Sequence, residues 1–131
     1  MRTINKMMTN AEIYQTALVL INSFKDMGDV YMPAAVSYSL HKNSTTLVQL
    51  GEEIEKSRLA ILEHYKTEQS EGDNITIAPE NIDKANKELS DLLQITQEVK
   101  LYCFDIEDIA DIKFTGAQMQ ALMVMIDEGA E

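Results

Sequence analysis

The chain has no tryptophan, one cysteine, two histidines and two prolines among its 131 residues. Each shortage removes a class of chemistry. One thiol, Cys103, makes no internal disulfide, and this fits a reducing compartment. Cys103 stands beside Leu101, Tyr102 and Phe104, and a cysteine in an apolar run is read as an inert core residue rather than a nucleophile. His41 and His64 are far apart and do not make a close-spaced ligand pair, so no zinc signature is present. The five glycines, at 28, 51, 72, 116 and 129, never gather into a phosphate-binding loop. No G-x-S-x-G elbow occurs. The apolar run Ala17 to Ile21 is too short for a signal peptide or a membrane span. No catalytic set, cofactor, metal site or small-molecule substrate is readable, so the expectation is a protein that is not an enzyme.

What is present is acid. The net charge is −11, with 22 acidic against 11 basic side chains. The first 50 residues carry only Glu12, Asp26 and Asp29 as acids, so the excess belongs to the rest of the chain. Such a charge disfavours direct binding to nucleic acid or to anionic membranes, because like charges repel. The hydrophobic fraction of 45% and the length fit a single helical domain over residues 1–131 with one core. Eight methionines and few prolines point to helices with an adaptable interior.

Periodicity places the elements. Thr9 and Glu12 form a capping-box pattern, followed by a helix that buries Ile13, Ala17, Leu20, Ile21 and Phe24 and stops at Gly28. Residues Ala34 to Leu40, after Pro33, read as helix or strand, with a break expected near Asn43-Ser44. A clearer helix runs from Leu47 to Tyr65, with Leu47, Leu50, Ile54, Ile61 and Tyr65 on one face and a Glu52–Lys56 pair outside. Gly72-Asp73-Asn74 is turn chemistry in a connector over 68–79. Beyond Pro79, the spacing of Ile82, Ala85, Leu89, Leu92, Thr96 and Val99 predicts a helix packed antiparallel on the Leu47 helix. The pattern also admits a short two-stranded β ribbon, Leu101–Phe104 against Ile75–Ile77. Thr115 and Gln118 make a second capping box, opening a last helix with Met119, Leu122, Met123, Met125 and Ile126.

Two groups of residues stand out. Asp105, Glu107, Asp108 and Asp111 form an acidic contact patch. They do not fit an EF-hand, since Ala110 stands where its glycine belongs and Gly116 where its closing glutamate belongs. Capping of a short helix by Asp105 explains them more simply. The last helix is apolar on several faces, which calls for cover on more than one side. Helical spacing assigns Leu122, Met125 and Ile126 to the core and Met119, Met123 and Val124 to a protein interface.

Three stretches together carry a resemblance: EEIEKSRLAILEHYKTEQSEG, NKELSDLLQITQEVKLYCFDIEDI and TGAQMQALMVMID. The order is a helix with E-x-x-R, an acidic turn, a helix with E-L-x-x-L-L, an F-x-I-E-D segment and a closing Q-M-x-A-L-x-x-M-I helix. Over residues 47–127 the chain resembles a family of small uncharacterised proteins encoded by phages and prophages of Gram-positive bacteria. The resemblance implies a mobile-element origin and a mainly helical fold, and it carries no catalytic residues.

The expected architecture is mainly α, with four or five helices. The expected function is a protein-interaction or assembly module that binds a partner protein or itself, in the cytoplasm of a bacterial host cell or on a virion. The alternative is an acidic nucleic-acid-mimicking decoy that occupies a host nucleic-acid-binding protein.

Overall fold

Thr9 is both the last residue of a strand and the cap of a helix. The computed structural model describes residues 2–24, 30–67 and 75–126. Its elements, in order, are β1 (Thr3–Thr9), α1 (Asn10–Ser23), α2 (Ala34–Tyr65), α3 (Pro79–Gln94), β2 (Thr96–Tyr102), a 3₁₀ turn (Ile106–Ile109) and α4 (Gly116–Met123). The fold is therefore mainly helical, with four helices and one two-stranded antiparallel sheet among the described residues. The Thr9 hydroxyl accepts the Glu12 amide at 3.1 Å and Glu12 reaches back to the Thr9 amide at 3.2 Å, a complete capping box. Thr115 and Gln118 repeat this arrangement at the start of α4. The expected stop at Gly28 and the Gly72-Asp73-Asn74 turn fall outside the described residues.

The central element is α2, a single helix of 32 residues, about 48 Å long at 1.5 Å per residue. Residues 34–40 are helical, and the break expected near Asn43-Ser44 does not occur. Asparagine interrupts a helix when its side chain competes for local backbone groups. Here the Asn43 amide turns inward to a distant strand, so the local ladder is undisturbed. The buried line Val36, Ser39, Asn43, Leu47, Gly51 and Ile54 follows helical spacing along the whole first two-thirds of α2.

Helix α1 approaches α2 closely where Gly51 meets Ala17; a β-carbon added at Gly51 would stand 3.0 Å from the Ala17 β-carbon. Glycine here permits close approach of the two helices. Ile21, expected inside, is half exposed instead. Helix α3 returns along α2 after the antiparallel bridge Lys66–Ile77, and Glu88 on α3 raises the Tyr65 hydroxyl near the end of α2 above its ordinary value. The pair is antiparallel, but its seam is lighter than the heptad spacing predicts. Only Ala85 is buried along α3, and Ile82 is exposed. Thr96 and Val99 do not extend the helix. After Gln94 the chain enters β2 and pairs with β1, with Thr3 opposite Tyr102 and Thr9 opposite Thr96.

The ribbon thus exists with a different partner from the expected one. Ile77 bridges Lys66, while β2 takes a strand from the other end of the described chain. Within TINKMMT, Lys6 interrupts the apolar alternation of Ile4 and Met8, which is why β1 is faint in the sequence. One hydrophobic cluster joins Met8, Ile13, Leu20, Leu47, Val99, Leu101, Phe104, Leu122 and Met125, so every major element contributes except α3, which adds half-buried Leu92 and Leu93. No helix among the described residues is long and apolar enough to cross a membrane.

Candidate functional site

Among the described residues the sheet has two strands, so β2 pairs with a strand on one side only. The Cys103 amide donates to the Arg2 carbonyl at 2.9 Å, and the Asn10 amide donates to the Ile95 carbonyl at 2.8 Å. Backbone direction alternates along an antiparallel ladder. The odd positions 95 to 103 therefore point their N–H and C=O groups at β1, and Glu98, Lys100 and Tyr102 point theirs away from it. At Tyr102 this outer pair is satisfied by a side chain. Asn43 Nδ2 donates to the Tyr102 carbonyl and Asn43 Oδ1 accepts the Tyr102 amide, both at 2.8 Å. Asn43 is fully buried, so one amide serves as a one-residue substitute for a third strand.

Beyond Tyr102 the edge has no such cover among the described residues. Glu98 and Lys100 direct their outer backbone groups into an open groove of about 610 Å³ between β2 and α2. That volume lies within the range of ligand-binding clefts. The helix side is formed by His41, Lys42, Thr45, Thr46 and Leu50, and the strand side by residues 97 to 100 with Tyr102. Tyr38 and Tyr102 meet edge to face with ring centres 5.7 Å apart, and Lys42 lies over the Tyr38 ring at 5.6 Å. Among the described residues neither Lys42 nor Lys100 has a carboxylate at ion-pairing distance. Two lysines against one carboxylate, Glu98, leave the groove lining with a small positive excess on an acidic protein. The helix wall of the groove exists because residues 41–50 lie on one continuous helix, without the break expected near Asn43-Ser44.

The sequence-predicted interface residues are only partly brought out. Leu122, Met125 and Ile126 are buried and Met123 is 43% exposed. Met119 and Val124 are half-buried against the core cluster. The last segment is not one helix apolar all round, since α4 ends at Met123. The next residues leave the helix, and Ile126 forms a bridge with Phe104. Val124 instead lines a smaller groove of about 190 Å³ between α1 and α4, with Glu12, Gln15, Thr16, Val19, Gln120 and Ala121.

The acidic patch is a cap. The Asp105 amide donates to Asp108 Oδ2 at 3.1 Å at the start of the 3₁₀ turn, and Asp105 pairs with Arg2 across the end of the ribbon. Glu107 and Asp111 are exposed. No group of His, Cys, Asp and Glu among the described residues is arranged to hold a metal ion. Cys103 is buried. His41 lines the β2 groove, and His64 packs edge to face on Tyr65 at 4.8 Å.

The strongest polar cluster ties α1 to α2. Tyr14 donates to Glu55 at 2.6 Å, and Arg58 holds both oxygens of the same carboxylate at 2.9 and 2.5 Å. The Arg58 hydrogen bonds, then that of Tyr14, hold the Glu55 carboxyl down at about 2. The carboxylate in turn raises the Tyr14 hydroxyl above its ordinary value. All three groups are engaged with one another, so the cluster works as an inter-helix tie. No family model, curated protein or solved structure matches the chain.

Proposed function

We propose that this protein is a non-enzymatic protein-interaction or assembly module of phage or prophage origin, acting in the bacterial host cytoplasm or on the virion. The observation that carries the interaction reading is the open edge of β2 beside α2. Exposed strand edges template pairing with other chains, and proteins ordinarily shorten, charge or cover them. Here one amide covers Tyr102 and the groups of Glu98 and Lys100 remain accessible. The main polar clusters favour the same reading: Tyr14–Glu55–Arg58, Asn10–Gln97 and Asn43–Tyr102 each join two elements of the fold. The origin rests on the resemblance of residues 47–127 alone.

The net charge of −11 favours a second reading, the nucleic-acid-mimicking decoy. It has weaker support. Asp105 and Asp108 are taken up by the 3₁₀ turn and Arg2, and Lys87 pairs with Asp91 on the surface of α3. A mimic needs carboxylates in an unbroken row. Salt-sensitive binding to a basic host protein, competed by duplex DNA and lost when Asp105, Glu107, Asp108 and Asp111 are all replaced by alanine, would put the decoy first.

The module reading is tested by photo-crosslinking in the host. A benzophenone amino acid is placed at Thr45 on the groove wall, at Met123 on α4, or at Asp91 as a control. Adducts with a protein partner, or with a second copy, are expected from Thr45 or Met123 and not from Asp91. Absence of adducts from both Thr45 and Met123 overturns the reading.

A further inference from the structure

We propose that the groove between β2 and α2 takes an extended acidic segment of a partner protein, which adds to the edge of β2 as a third strand. This rests on the interaction-module reading and names its mode and its ligand. Glu98 and Lys100 present outward-facing N–H and C=O groups, and such groups bind extended peptides through main-chain hydrogen bonds while alternate side chains give specificity. The register is bounded at one end, because Asn43 already occupies the outer groups of Tyr102. A short segment therefore fits, centred opposite Val99.

Charge selects the occupant. On an added strand, residues opposite Glu98 and Lys100 share the face that carries those side chains. Tyr102 is on that face, Tyr38 meets it, and Lys42 lies over Tyr38, so Lys42 and Lys100 border the same side of the groove. An acidic residue opposite Lys100 meets two lysines that have no ion-pair partner among the described residues, while Glu98, two positions along the same face, disfavours a second acid opposite itself. The residue opposite Val99 turns to the core-facing side and is apolar. A second copy of this chain is a poorer occupant. Its strands, TINKMMT and TQEVKLY, are basic or neutral, and a copy of β2 paired symmetrically about Val99 would need the Tyr102 groups that Asn43 holds.

The test uses the full chain and fluorescein-labelled, capped peptides about seven residues long, the length of an ordinary strand. Three peptides place valine opposite Val99, threonine opposite Glu98, and glutamate, threonine or lysine opposite Lys100. The glutamate peptide is expected to bind at least about tenfold more tightly than the lysine peptide at low salt, a gap that narrows as salt rises. Methylating its alternate backbone amides abolishes binding. Glu98→Pro is the matching protein variant. The Glu98 amide faces away from β1, so proline keeps the β1–β2 ladder and removes an outer donor; proline is tolerated on such edges. It should weaken binding about tenfold or more. Lys42→Glu combined with Lys100→Glu should reverse the preference between the glutamate and lysine peptides. Amide exchange of Glu98 and Lys100 should slow in the complex. No binding of the glutamate peptide, or binding indifferent to amide methylation, overturns strand addition. Because the methylated peptide tests the mode without altering the protein, a misfolded Glu98→Pro variant does not blunt the result. Crosslinks from Met123 alone would leave the module reading standing and sink this one.

Discussion

Asn43 on α2 and Tyr102 on β2 exchange two hydrogen bonds, side-chain amide to backbone, across 59 residues of sequence. The contact fixes the long helix against the sheet edge and sets where that edge stops being covered. Asn43→Leu keeps an apolar side chain of similar size but leaves the Tyr102 amide and carbonyl without their partner. The expected cost is about 2–4 kcal/mol, from two lost bonds and the unpaired groups left behind. Urea denaturation of wild type and variant reads it directly. A loss under about 0.5 kcal/mol would show that water replaces the amide at no cost.

Acid should weaken the α1–α2 tie. The folded Glu55 carboxyl is held at about 2, below its ordinary 4.5, by hydrogen bonds from Arg58 and Tyr14. A lowered folded value means stability that is present above about pH 4.5 and lost as pH falls toward about 2. The Glu55 side chain is about one-third exposed, so screening reduces the contribution to about 1 kcal/mol. Wild type should exceed Glu55→Gln in stability near neutral pH, and the gap should close through that window. Parallel pH profiles for the two proteins would refute the tie.

Gly51 is expected to resist enlargement. Valine there directs atoms into Ala17 at a contact that is tight even for a single β-carbon, at 3.0 Å. Overpacking of this kind costs about 1–3 kcal/mol. A drop in melting temperature for Gly51→Val, relieved in part by Ala17→Gly in the same chain, would locate the strain at this crossing; no relief would place it elsewhere.

Met123 offers the opposite case. Its side chain is 43% exposed, so Met123→Glu should change stability by less than about 0.5 kcal/mol. If α4 contributes to self-association, the same variant shifts sedimentation to monomer. The net charge of −11 opposes dimerisation, so the wild-type dimer should strengthen with added salt. Wild-type monomer at all concentrations would remove α4 from the interface.

Local sequence was enough for the helical character of the fold, both side-chain helix caps, the 3₁₀ turn at Asp105 and the burial of Leu122, Met125 and Ile126, but of Met119, Met123 and Val124, all expected outside, only Met123 is exposed. These are local properties, set by capping chemistry and by the three-to-four spacing of apolar residues. The rest depends on contacts between segments distant in sequence. A polar residue such as Asn43 reads as a helix break until a strand 59 residues away is seen to use its amide. Likewise Thr96 and Val99 match a helical repeat, but pairing with β1 makes them strand, because backbone partners outweigh a six-residue pattern. The β2 groove arises only when these two outcomes meet: an unbroken α2 beside an edge whose partner comes from the opposite end of the described chain. Neither long-range hydrogen bonds nor the side of a strand left open is written in local periodicity.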